Sequence, residues 1–333
     1  MSARLNTDTG NAGSAEAFHI AFGVDAGYFR YMGAAITSIM ENNPGIPFVF
    51  HVFAFSASDD HRNKLRQLEE RYRVKIEVHL VDQEVFRDFA KFPSFSQYSQ
   101  ATFTRLLIPS TLQGITRKVL YLDADILCVG SIAGLREMDL GDNIAAVVSD
   151  HLETTVTRQI NALDLPHRRY FNAGFMYIDI ENWIACDTTE KIMHVLLKSG
   201  RKLDFQDQDA LNIVLDGRAL FIDEKWNLRY NLEFMLKHGD AGPTTEGVFL
   251  HFTGRVKPWH DWCLHESVKL YSKYESLSPW AGTPLNPPRN YKEMRMFSRF
   301  LFKQGCWAKG AAWYLRYLSN KLSAGKAGRA NKT

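Results

Sequence analysis

Residues 18–24 form a nearly unbroken apolar run, and just beyond it Met32, Ile36, Ile39 and Met40 recur at helical spacing. The two periods predict a buried strand over 18–24 followed by a helix over 31–42. The alternation continues with a strand over 47–55, a helix over 59–72 for which Ser58 is a natural N-cap, and a strand over 74–81. A helical stretch over 101–112 leads into an apolar strand at 119–122, and strand-like runs follow at 144–148 and 175–180. An apolar helix is expected over 210–215, and another strand begins at Phe249. Strands alternating with helices predict an α/β fold on a mainly parallel sheet. In such sheets ligands lie beyond the carboxyl ends of the strands. Asp25 and the pair Asp123 and Asp125 all fall there.

The apolar segment Val119-Leu120-Tyr121-Leu122 ends in Asp123-Ala124-Asp125. Alternation along an extended chain puts both carboxylates on one side, where they repel unless a cation lies between them. Hard oxygen donors suit Mg²⁺ or Mn²⁺, which keep positions open for water or phosphate oxygens. A solvated turn after a core strand would look the same. A second strand end carries His251-Phe252-Thr253-Gly254, with Lys257 close behind. An imidazole there could complete the ligand set and favour Mn²⁺ over Mg²⁺. Gly254 allows close backbone approach, and Lys257 offers a point charge to phosphate. Gln206-Asp207-Gln208-Asp209 precede the apolar helix at 210. One acid suffices to favour a helix start, whereas the whole polar run would suit sugar hydroxyls. Phe171-Asn172-Ala173-Gly174 reads locally as an ordinary turn.

Composition adds constraints. At 333 residues with 45% hydrophobic content, the chain has room for one large α/β domain with an appendage, or for two domains. Cys128, Cys186, Cys263 and Cys306 lack metal-site or disulfide-framework spacing, which fits a reducing cytoplasm. The first seventeen residues are small and polar, without a signal-peptide core, and are expected to be a flexible tail. No run approaches the roughly 18 apolar residues of a spanning helix.

The net charge of +3 conceals an asymmetry, because residues 289–333 carry eleven Lys and Arg against one acid, Glu293. The body is therefore acidic and the end strongly basic, which suits an anionic partner such as a lipid surface or a nucleic acid. Lys292, Arg295, Arg299 and Lys303 recur at helical spacing, with Met294, Phe297 and Leu301 on another face. Tyr291, Phe297, Phe300, Phe302, Trp307, Trp313, Tyr314 and Tyr317 lie among the charges. Pro279, Pro284, Pro287 and Pro288 suggest a loop-rich hinge before this region. The expected divisions are a tail over 1–17, a catalytic domain over 18–275, a basic amphipathic region over 276–325, and a tail over 326–333.

Val24-Asp25, Thr104-Arg105-Leu106, Tyr121-Leu122-Asp123-Ala124-Asp125, Phe171-Asn172-Ala173-Gly174, Gln206-Asp207-Gln208-Asp209 and His251-Phe252-Thr253-Gly254 with Lys257-Pro258-Trp259 together resemble the motifs of glycosyltransferase family 8 in order and spacing. Within that family the chain is most similar to the bacterial lipopolysaccharide core glucosyl- and galactosyltransferases. The resemblance implies a GT-A fold, UDP-glucose or UDP-galactose as donor, Mn²⁺ (or Mg²⁺), and retention at the anomeric carbon. It implies that Asp25, Gly23 and Tyr28 hold uracil, and that Ala124 and Asp125 lie beside the ribose. Asp123, Asp125 and His251 would bind the metal, while Lys257 and the Gly254 backbone face the diphosphate. Arg105, Asp150, Asn172, Ala173, Asp207 and Gln208 would line the sugar. Gly27 stands where the family commonly has Asn, so one uracil or ribose contact is missing or comes from backbone.

The family residue nearest the anomeric carbon corresponds to Gln208, a poor nucleophile, which favours a front-face route with the leaving phosphate as base. Asp209 is the back-up nucleophile, or simply a helix-start residue. The implied acceptor is a lipid-linked core oligosaccharide. The implied location is the cytoplasmic face of an anionic membrane, contacted by residues 289–321, with no nucleic-acid partner. Two rivals are weaker. Haloacid-dehalogenase phosphatases share an aspartate pair, but they place it on the first strand and want a hydroxyl or valine where Leu127 stands. A noncatalytic protein would use the basic end as a nucleic-acid arm.

Overall fold

The computed structural model describes residues 16–82, 84, 100–150, 153–198, 200, 202–238 and 246–330. Strand β1 (Phe18–Val24), helix α1 (Phe29–Asn42), β2 (Phe48–Ala54), α2 (Asp59–Tyr72) and β3 (Lys75–Leu80) open the fold. Ser58 caps α2 as expected, its side chain accepting from the His61 backbone N–H. A 3-10 turn over Gln100–Leu107 and the short α3 (Ile108–Leu112) lead into β4 (Lys118–Leu122) and β5 (Ile126–Cys128). The chain continues through α4 (Ala133–Arg136), β6 (Ala145–Ser149), α5 (Glu153–Leu163), β7 (Phe171–Asp179), α6 (Ile180–Ala185), α7 (Thr188–Lys198) and α8 (Gln206–Val214). After β8 (Ala219–Ile222) come β9 (Leu228–Arg229), α9 (Leu232–His238), β10 (Phe249–His251), α10 (Ser267–Leu277), α11 (Tyr291–Lys303) and α12 (Trp307–Ala330).

A seven-stranded sheet runs in the order β3-β2-β1-β4-β7-β6-β8, and a small second sheet in the order β5-β10-β9. The large sheet is parallel except at β7, which lies antiparallel to both β4 and β6. Both faces are covered. Phe18, Ile20, Phe22 and Val24 pack with Phe29, Met32, Ile36 and Leu65 on one side, while Ala21, Val119, Tyr121 and Met176 pack with Phe103, Leu112, Trp183 and Leu211 on the other. Burial on both faces explains why these strands are almost uniformly apolar.

Two boundaries differ from the sequence reading in ways that shape the site. Strand β7 begins at Phe171, so Asn172, Ala173 and Gly174 belong to a strand and not to a turn. Helix α8 begins at Gln206, which places Asp207, Gln208 and Asp209 in its first turn.

The expected hinge is instead fastened down. Arg30, buried on α1, pairs with Glu275 of α10 and donates to the carbonyls of Thr283 and Pro284 at 2.7 Å each. Trp280 lies over Gly33, where an added Cβ would come within 2.4 Å of the indole. Helix α11 presents its basic stripe outward, but the face it buries comprises Met296, Ser298, Phe300 and Leu301, not Met294 and Phe297. Met296 and Phe300 join Tyr31, Phe252, Trp259 and Tyr271 in a third apolar cluster. The basic region is thus part of the folded body. Helix α12 continues to Ala330, through most of the segment expected to be a tail. Residues 1–15 lie outside the described residues.

Candidate functional site

The carboxyl end of β4, the small sheet and the start of α8 bring their polar residues together. Asp123 is fixed by its backbone N–H, which donates to the Gly174 carbonyl at 2.8 Å. Its Oδ1 accepts from the Tyr121 hydroxyl at 2.6 Å and from Arg105 Nη2 at 3.1 Å. Asp125 lies across from it, with Oδ2 accepting from Lys257 Nζ at 2.7 Å. His251, at the end of β10, puts Nε2 3.1 Å from Asp125 Oδ1 and 3.9 Å from Asp123 Oδ2.

The proton on that histidine can be placed. Nδ1 lies 3.0 Å from Asn227 Oδ1, which can only accept, so Nδ1 carries the hydrogen and, in the neutral ring, Nε2 presents a lone pair. Asn227 is itself oriented, its Nδ2 donating to Asn172 Oδ1 at 3.0 Å. The lone pair of Nε2 therefore faces carboxylate oxygens. Asp125 Oδ1 is buried and has no hydrogen-bond donor, since Nε2 has none to give. Burial opposes the charge on Asp125, but the Lys257 ammonium beside it outweighs burial and holds the carboxyl well below the usual range. A nitrogen and two carboxylate oxygens converging without a proton among them are a donor set that fits a divalent cation. Gly174 keeps the space open, because a Cβ there would lie 2.4 Å from His251 Cε1 and 2.7 Å from Asp123 Oδ2.

Arg105 is the hub beneath this cluster. It is buried, stacks on Tyr121 with its guanidinium carbon 4.5 Å from the ring centroid, donates to the Ala173 carbonyl at 2.6 Å, and lies 3.4 Å from Asp207 Oδ2. Burial raises the Asp207 carboxyl to about 6 even with this cation beside it. Gln208 Oε1 accepts from Asn172 Nδ2 and from the Ala173 N–H, both at 3.1 Å, and its Nε2 donates to the Tyr170 hydroxyl at 3.0 Å.

Asp209 is not placed to attack a sugar. It is fully buried and accepts from Tyr170 at 2.6 Å, the Phe205 N–H at 2.8 Å and Gln159 at 3.3 Å. Of its two expected roles, the helix-start one matches these surroundings. Asp150 is ion-paired to Arg229 at 2.6 Å.

Asp25, Tyr28, Gly254 and Lys257 line one cavity of about 570 Å³, together with Trp259 and Arg289. Asp25 Oδ1 accepts from the Gly27 N–H at 2.9 Å, so this glycine closes a tight turn on the aspartate. Gly254 has φ of +80°, a conformation that needs glycine. Gly23 sits near the end of β1, and Ala124 is buried between the two aspartates.

The family model described as Glycosyl transferase family 8 matches residues 19–263, and that of the family's C-terminal region matches 266–321. The chain belongs to glycosyl transferase family 8. It is 33% identical to lipopolysaccharide 1,3-galactosyltransferase of Salmonella typhimurium, over 92% of each chain. It is 30% identical to the lipopolysaccharide glucosyltransferase WaaO of Escherichia coli, over 91% of each. Among solved structures, the galactosyltransferase LgtC with donor and acceptor sugar analogues superposes with a TM-score of 0.68 at 24% identity, covering 79% of this chain and 96% of that one.

The fold of this family 8 member is therefore GT-A, and the chain is a hexosyltransferase. A phosphatase or a noncatalytic arm is no longer a competing account. Tyr170, Asn227 and Arg229 belong to the site yet carried no motif, since only the folded chain brings them to Gln208, His251 and Asp150. Gly174→Ala is expected to displace the His251 ring, lower stability by about 1–3 kcal/mol as an overpacked position, and weaken any divalent-cation binding at this trio. Calorimetric titration with Mn²⁺ checks this, and unchanged affinity would show that the ligands need no empty position at 174.

Proposed function

We propose that this family 8 enzyme moves glucose or galactose from UDP-hexose to a hydroxyl of a lipopolysaccharide core oligosaccharide, with retention, at a site that holds Mn²⁺. The observation that carries the proposal is the buried, donor-less Asp125 Oδ1 facing the lone pair of His251 Nε2. Relatives named as lipopolysaccharide galactosyl- and glucosyltransferases over nine-tenths of the chain support the acceptor.

Asp123, Asp125 and His251 would hold the ion, which supplies Lewis-acid stabilisation of the departing diphosphate. Lys257, now the counter-ion of Asp125, borders the cavity that also contains Asp25, Tyr28 and Gly254, and would share the diphosphate charge. Uracil would pair with Asp25 under Tyr28, with Gly23 offering backbone contact and Ala124 lying by the ribose. Arg105, Asp150, Asn172, Ala173 and Asp207 would line the hexose. Gln208, whose amide is engaged on both sides, would orient the reacting centre without forming a bond to it. The incoming hydroxyl would then approach the same face as the leaving phosphate, which accepts its proton. Proton NMR of the first product tests this, because retention predicts an axial linkage from the axial donor. Inversion would refute it.

Residues 289–321 would dock the enzyme on an anionic membrane at the cytoplasmic face. Phe297 packs on Trp313 and Phe302 on Trp307, so several aromatics serve the α11–α12 contact. Helix α12 nevertheless leaves Trp307, Tyr314, Leu315, Leu318 and Leu322 exposed. Those apolar positions, with exposed Lys309, Arg316 and Lys321 on the same helix, suit an interface at about 1 kcal/mol per engaged cation. Among the described residues no helix is long and apolar enough to cross a membrane. Truncation after Cys306 spares Met296 and Phe300. It is expected to weaken flotation with anionic vesicles strongly, leaving only the basic stripe of α11, while keeping UDP-hexose hydrolysis. If the intact chain ignores such vesicles at low salt, α12 has another role.

A further inference from the structure

Away from the donor site, three histidines stand side by side on the β1-β2-β3 edge of the large sheet. His51 of β2 is fully buried, lies opposite Glu77 of β3 in register, and is diagonal to His79. His51 Nδ1 is 3.1 Å from His79 Nε2 and 3.2 Å from Glu77 Oε2, and the third side of the triangle, His79 Nε2 to Glu77 Oε2, is 3.9 Å. A tetrahedral ion with bonds of about 2.0–2.1 Å spaces its ligands roughly 3.3 Å apart. The triangle is close to one face of such a tetrahedron.

We propose that His51, Glu77 and His79 form a second metal site in this protein, one that takes Zn²⁺. Two imidazoles and one carboxylate are a softer set than the single imidazole and two carboxylates of the Asp123 cluster, and they match zinc sites that keep an open fourth position. Glu77 and His79 are 28% and 22% exposed at the side chain, so the fourth position is reached by water. The orienting contacts are also present. His51 Nε2 lies 2.9 Å from His19 Nδ1, so with metal on Nδ1 the other nitrogen donates its proton to His19. Lys75 pairs with Glu77 Oε1 and leaves Oε2 to face the histidines. Because the ligands come from β2 and β3, the ion fastens the edge strand to the sheet.

Anomalous diffraction from crystals of the full chain equilibrated with ZnCl₂ tests the site independently of any ion bound at Asp123, Asp125 and His251. A zinc peak between His51 Nδ1, His79 Nε2 and Glu77 Oε2 is expected. In equilibrium dialysis, Glu77→Gln and His79→Gln should each weaken this site more than about 100-fold. His19→Ala should weaken it roughly 10–100-fold, as for other groups that orient a ligand. Mn²⁺-dependent UDP-hexose hydrolysis should be unchanged in all three. Absence of the peak, or wild-type zinc affinity in Glu77→Gln, would reduce the cluster to a hydrogen-bonded histidine ladder. If a variant does not fold, the wild-type anomalous map alone decides.

Discussion

Asp125→Asn is expected to lower UDP-hexose turnover by about 10²–10³-fold, the usual scale for removing one preorganised electrostatic group, and to abolish tight Mn²⁺ binding. The substitution keeps the size and one acceptor for Lys257 Nζ, now 2.7 Å from Oδ2, but removes the charge that pairs with it. It also places an amide where Oδ1 faces the unprotonated Nε2 of His251 at 3.1 Å. An NH₂ turned toward that nitrogen would donate to its lone pair and close the space the ion needs. The fold should survive, because breaking a buried pair costs about 3–5 kcal/mol at most and the amide still accepts from Lys257. Turnover and Mn²⁺ affinity measured together check this. Full activity in chelator-treated buffer would remove the metal from the account.

Arg105→Met should be nearly as damaging, through stability as well as activity. The guanidinium lies between Asp123 at 3.1 Å and Asp207 at 3.4 Å and is itself buried. Its loss leaves two carboxylates without their shared cation, a cost of about 3–5 kcal/mol for a buried ion pair. The deficit should depend on pH. Asp207 is raised from its ordinary 3.8 to about 6, chiefly by burial and despite Arg105. An acid whose folded value is raised favours its neutral form in the fold, so the folded state loses stability as pH rises from the unfolded value toward the folded one. Without Arg105 the folded value moves higher still, and the window extends upward. The variant's deficit should therefore be larger at pH 8 than at pH 5. Denaturant unfolding at the two pH values measures it, and a pH-independent deficit would mean that Asp207 does not depend on this arginine.

The order of strands and helices was legible because apolar period alone separates the two kinds of element, and Ser58 announced the start of α2. Asp123, Asp125 and His251 were legible as candidate ligands, since an aspartate pair and a histidine each end an apolar run, and the fold brings the three together. Boundaries failed where function interrupts the pattern. Asn172 and Gly174 break the apolar sequence of β7, yet the strand continues, since its backbone pairs with the end of β4 and Gly174 makes room for His251. Asp207 and Asp209 hid the first turn of α8 among polar residues that pack inward. The proline-rich segment looked mobile because nothing in it shows that Arg30, some 250 residues earlier, holds its carbonyls. Asn227 fixes the His251 tautomer and Arg229 neutralises Asp150, but each is an ordinary polar residue until the small sheet brings it into place.

The central claim is metal-dependent transfer from UDP-hexose at Asp123, Asp125 and His251. The most direct measurement is UDP release from UDP-glucose and UDP-galactose, with a lipopolysaccharide core acceptor, in chelator-treated buffer before and after addition of Mn²⁺. One of the two donors should turn over only with the ion present, and His251→Ala should lose that response. Equal turnover without Mn²⁺, or a His251→Ala enzyme with the wild-type response, would contradict the account.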